Sequence, residues 1–161
     1  MKQIIVLLSL LLALPASAAQ LTIELDHTRK TWETAELLKR SDAQTVQIVD
    51  DVSYKRNMTY RAVPLAALLP GITPENHLQA VALDGFAAEL TAAPLLSKSG
   101  ARAWLAVEDP AHPWPPLADG KPSAGPFYLV WTDPQAGSIS PEQWPFQISG
   151  IKQLKTVAER L

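Results

Sequence analysis

The stretch "HPWPPLADGKPSAGPFYLVW", residues 112–131, begins as a proline-braced loop and ends as an unbroken apolar run. Five of the chain's fourteen prolines and two of its five tryptophans fall here, so the segment is stiff where loops are usually soft. A loop longer than about a dozen residues in a compact domain is usually functional or disordered. Proline lowers the entropy lost in holding one shape. The stretch therefore predicts a built surface that feeds directly into a buried strand, "FYLVW" (Phe127–Trp131).

On either side the chain alternates strand and short-helix signals. "LTIEL" (Leu21–Leu25), "QTVQIV" (Gln44–Val49), "LQAVAL" (Leu78–Leu83), "AWLAVE" (Ala103–Glu108) and "FQISGIKQLKT" (Phe146–Thr156) read as strands. "TWETAELLKR" (Thr31–Arg40) sets Trp32, Ala35 and Leu38 at helical spacing, with Lys39 and Arg40 placed to suit a helix C-terminus. "PLAALL" (Pro64–Leu69) predicts a short helix with proline in its first turn, and "TAAPLL" (Thr91–Leu96) a helical turn. The glycines mostly punctuate the apolar runs, and no repeat or linker divides the chain. The expected class is α+β: a mixed β-sheet with short helices, in a single domain over residues 20–161.

Residues 1–19 read as a signal peptide. Lys2 supplies a positive start, Ile4–Leu14 an apolar run, and Ala16-Ser17-Ala18 the small residues for cleavage near Ala18-Ala19. That run is too short to cross a bilayer, so the expectation is export and removal. Loss of Lys2 moves the formal charge from −2 to −3. With no basic block, nucleic acid and anionic membrane surfaces are poor partner candidates, and no nucleic-acid partner is expected. The chain has no cysteine, so neither disulfides nor a thiolate ligand or nucleophile is available.

Five segments, "YRAVPLAALLPG", "VALDGFAAELTAAPLL", "ARAWLAVED", "PSAGPFYLVW" and "EQWPFQISGIKQL", run in the order of the oxidoreductase molybdopterin-binding domain. The chain resembles that sulfite-oxidase-type fold over roughly Tyr54 to Leu154. It also departs from it. The family's enzymes bind molybdenum through a cysteine before the segment matching "YRAVPL", and this chain has none. Phe86 stands where they carry an aromatic hydroxyl after the "DG" turn. Arginine-rich segments for the cofactor phosphate are not evident. Without the thiolate, a molybdenum centre loses its defining soft ligand, so catalysis is not expected.

The chain is similar to a cysteine-free branch: periplasmic pterin-binding proteins that partner membrane-bound cyclic diguanylate enzymes. "DDVSYKRNMTYRAVPL" and "DPAHPWPPLADGKPSAGPFYLVW" carry that likeness. It implies a non-catalytic periplasmic protein that binds a free, dihydropterin-like pterin without molybdenum. It further implies that ligand state is relayed to the periplasmic domain of a membrane-bound cyclic diguanylate enzyme. Two alternatives stand beside it: a reduced molybdopterin-dependent oxidoreductase subunit of the periplasm, and an interaction module that has lost its ligand.

The residue chemistry can serve a flat heterocycle, which needs an apolar face and a few fixed polar groups. Trp114, held between Pro113 and Pro115, offers the face, and Ser123, Ala124 and Gly125 offer a turn where backbone amides approach closely. "YKRNMTYR" supplies a second wall through Tyr54, Lys55, Arg56, Tyr60 and Arg61, and Arg102 is a third candidate. The alternative reading makes Trp114 a lid on the core and 54–61 a solvated hairpin whose cations balance Asp50 and Asp51. Trp104 and Trp131 read as core, and Trp144 suits either role. His27, His77 and His112 stand apart in sequence, and no phosphate loop, dinucleotide fingerprint or nucleophile elbow occurs.

Overall fold

The structure, a computed structural model, describes residues 19–132 and 139–155. The expected signal peptide lies outside the described residues, Ala19 excepted, as does Thr156 at the end of the last expected strand. The described chain is α+β, with one mixed and one antiparallel sheet and a few short helices.

The strands are β1 (Gln20–Glu24), β2 (Arg29–Glu33), β3 (Gln44–Ile48), β4 (Met58–Pro64), β5 (His77–Ala82), β6 (Ala87–Thr91), β7 (Arg102–Val107), β8 (Phe127–Thr132) and β9 (Ile148–Leu154). Helix α1 spans Thr34–Leu38 and α2 Ala92–Leu96, with 3-10 turns at Leu65–Leu68 and Pro141–Gln143. The first sheet runs β2-β1-β9-β5-β6, with β1 parallel to β9 and the other pairs antiparallel. The second runs β3-β4-β7-β8 and is antiparallel throughout.

One hydrophobic core joins both sheets: Leu21, Ile23, Leu78 and Ile151 from the first, and Val46, Leu105, Leu129 and Trp131 from the second. Strand β8 is buried from Phe127 to Trp131, on both faces, which is why its sequence reads as a continuous apolar run rather than an alternation. Each such side chain contributes roughly 1.5–3 kcal/mol by leaving water. Although β8 ends its sheet, the segment 143–145 lies along its outer edge: Leu129 N–H donates to Pro145 O at 3.0 Å, and Trp131 Nε1 donates to the Gln143 carbonyl at 2.8 Å.

Three strands differ from expectation. Pairing with β1 draws Arg29–Glu33 into the sheet, so Trp32 lies opposite Leu21 and the helix is only Thr34–Leu38. The Glu36 carboxylate accepts the Glu33 N–H at 3.0 Å, which fixes that start. Met58–Pro64 forms β4, in register with β3 through Val46↔Tyr60, so half of the expected hairpin is strand and Leu65–Leu68 is 3-10 rather than α. Ala87–Thr91 forms β6, a strand whose alanines give little propensity signal. Its hairpin with β5 depends on Gly85, at φ +88°, and on Asp84 Oδ1 accepting the Phe86 N–H at 2.9 Å.

Candidate functional site

The loop leaving β3 turns Asp51 inward until it is fully buried. Its Oδ2 accepts the Tyr60 hydroxyl at 2.7 Å, and its Oδ1 accepts the Tyr128 hydroxyl at 2.9 Å and the amides of Ser53 and Tyr54 at 2.9 and 3.0 Å. Four donors take the place of a cation. Asp51 is therefore not balanced by Lys55, Arg56 or Arg61, a correction to the hairpin reading. Burial, then the hydrogen bond to Asp51, pushes the Tyr60 phenol far above its ordinary value. Burial and the Asp51 charge do the same to Tyr128.

Tyr60 cannot serve as an open stacking face, because it is 1% exposed. Trp114 covers it, ring centroids 4.8 Å apart at 64°, so the tryptophan is half-buried against the core rather than free of it. The prolines do not keep it out; they shape the loop around it. From Trp114 an aromatic row runs inward through Tyr60 and Tyr128 to Trp144, with Tyr60–Tyr128 at 5.9 Å and Tyr128–Trp144 at 6.4 Å. Trp144 is thereby placed in the core, at 2% exposure.

The polar groups of the loop bond one another. Glu108 Oε2, just past β7, accepts the Trp114 N–H and the Ser123 hydroxyl, each at 2.8 Å. The Tyr54 hydroxyl donates to Pro115 O at 2.8 Å and accepts the Ala124 N–H at 3.0 Å. The Gly125 N–H donates to Ser123 Oγ at 3.1 Å. The amides expected to face a ligand at Ala124 and Gly125 thus have partners within the chain. Gly125 is required for a spatial reason: a Cβ there would overlap the Glu108 carboxylate. Tyr54 is held un-ionised chiefly by burial, its phenol value raised.

The structure scatters the remaining candidates. Lys55 (φ +57°) and Arg56 are exposed, Arg56 lying 5.9 Å above the Tyr54 ring. Arg61 is exposed on β4 and reaches toward Thr45. Arg102 opens β7 at the end opposite Glu108 and lines, with Lys98, Pro64, Leu95 and Trp104, a separate pocket of about 250 Å³. It does not share a site with Trp114.

An apolar cavity that sequence reasoning missed lies between the β5–β6 hairpin and the segment Pro141–Gln147. Its volume is about 340 Å³. Three small side chains, Ala80, Ala82 and Ala88, open the space, and Trp144, Phe86 and Phe146 wall it. Phe86 is 71% exposed and Phe146 42%, so two aromatic faces are free to meet a ligand. Asp84, Glu142 and Gln147 complete the lining with polar groups. The size falls within the roughly 300–1,000 Å³ of small-molecule sites, and the mix of apolar wall and few polar groups matches them. The one signal in the sequence was Phe86 after Asp84-Gly85, noted there only as a departure from the resembled family.

No protein family and no curated protein matches this chain. Among the described residues there is no cluster of three His, Asp or Glu side chains suited to a metal. The chain has no cysteine, so no thiolate is among its potential metal ligands.

Proposed function

We propose that this is a non-catalytic, exported pterin-binding protein of the sulfite-oxidase-type fold, with the flat bicyclic ring seated in the cavity beside Phe86. One observation carries the reading. The cavity is built from two of the segments that resemble the molybdopterin-binding domain, "VALDGFAAEL" and "EQWPFQ", and Phe86 sits at the position where that family places its aromatic hydroxyl. A pterin needs an aromatic face and acceptors for its N–H edge, which Phe86, Phe146 and the carboxylates of Asp84 and Glu142 supply. The proposed role is to relay ligand state to the periplasmic domain of a membrane-bound cyclic diguanylate enzyme. Such a relay requires the ligand to favour one of two conformations.

Calorimetric titration with 7,8-dihydroneopterin tests the reading. Saturable binding is expected, and Phe86→Ala should weaken it by about tenfold, the worth of one good aromatic contact. Absence of saturable binding to any dihydropterin overturns it.

A further inference from the structure

Gln147 lies at a junction. It lines the cavity, and its backbone takes a left-handed conformation (φ +52°) that a non-glycine residue adopts only when its surroundings hold it there. Those surroundings are specific. Gln147 O accepts the Leu83 N–H at 2.8 Å, tying it to the β5–β6 hairpin. Gln147 N–H donates to Ala124 O at 2.7 Å, and its side-chain Nε2 donates to Ser123 O at 2.8 Å. Ser123 and Ala124 in turn bond Glu108 and Tyr54, which hold Trp114 and Pro115. One residue thus connects both walls of the cavity to the proline-braced loop.

We propose that Gln147 is the positioning residue through which occupancy of the cavity sets the conformation of the Trp114 loop. The inference rests on the ligand reading for its biological use, but the coupling is a property of the chain and can be tested without ligand. Mechanically, a group filling the cavity presses on Gln147 and on the turn that carries Leu83. The side-chain bond to Ser123 passes that restraint to the carboxylate of Glu108 and so to the Trp114 amide. The aromatic row from Trp144 to Trp114 offers a second route, and the two are separable because Gln147 takes no part in the row.

The test fills the cavity covalently with Ala88→Leu and reads native-state hydrogen exchange of the Trp114 amide, which reports local opening. Slower exchange is expected by about fivefold, the factor carried by one hydrogen bond of ordinary strength. In the Gln147→Ala background that slowing should largely disappear. Gln147→Gly serves as the second variant: glycine adopts the same φ without strain, keeps the backbone bonds and loses only the side-chain donor. Unchanged exchange on filling the cavity, or equal slowing with and without the Gln147 side chain, overturns the proposal. Dihydroneopterin titration of the same proteins reports separately on the ligand reading, since a coupled protein that ignores pterins leaves this inference standing.

Discussion

The Tyr60 hydroxyl meets Asp51 Oδ2 at 2.7 Å inside the core, with neither residue more than 1% exposed. The pair anchors the strand β4 to the loop that follows β3, and Tyr128 adds β8 to the same carboxylate. A buried carboxylate satisfied only by neutral donors depends on every one of them.

Asp51→Asn should therefore destabilise the fold by about 3 kcal/mol, since the variant keeps the shape but trades charge-assisted bonds for neutral ones and turns an acceptor into a donor. Urea denaturation measures it. A variant as stable as the parent sinks the claim that this carboxylate organises the core.

All three tyrosines of the chain, Tyr54, Tyr60 and Tyr128, have phenol values raised above the ordinary value of about 10. A raised native value means the fold favours the protonated phenol. The stabilisation is whole below about pH 10 and is lost as pH climbs past it, because the unfolded chain then gains by ionising. We predict no phenolate absorbance near pH 10 in the folded protein, followed by its appearance together with alkaline unfolding. A tyrosine that titrates near its ordinary value while near-ultraviolet circular dichroism stays native would contradict this.

Gly125→Ala pushes a methyl group into the Glu108 carboxylate. That side chain is already committed to Trp114 and Ser123, so it cannot swing aside without releasing them. The expected loss is about 2 kcal/mol, typical of overpacking. Trp114 fluorescence should shift as its amide loses Glu108. Glu108→Ala combined with Gly125→Ala should recover part of the loss, and the absence of any recovery would place the strain elsewhere.

Tyr54→Phe removes a hydroxyl that both donates to Pro115 and accepts from Ala124, residues far from it in sequence. A cost of about 1–2 kcal/mol is expected, with faster exchange of the Ala124 amide. Unaltered exchange there would show that water replaces the phenol at no penalty.

The strands with a clear apolar signal were legible, whether alternating, as in "LTIEL", or continuous, as in "FYLVW": these two, "LQAVAL" and "AWLAVE" each lie within a residue or so of their observed positions. The strands that escaped lacked that signal. Trp32, Ala35 and Leu38 share helical spacing, but pairing of Trp32 with Leu21 decides its place. The loop was legible as a built object, whereas its contacts were not, because Tyr54 reaches Pro115 across 61 residues and Asp51 reaches Tyr128 across 77. The cavity was invisible for a further reason: it is defined by what Ala80, Ala82 and Ala88 leave out. Missing volume has no sequence motif.

The covering of β8 by Gln143 and Pro145 has a consequence for how far this wall of the cavity can travel. The same segment that walls the cavity also takes up the outward Leu129 N–H of an apolar edge strand, the kind of edge that templates pairing with other chains when left open. Wholesale swinging of this wall would bare that edge, whereas Phe86 and Phe146, exposed at the rim, can move without disturbing it.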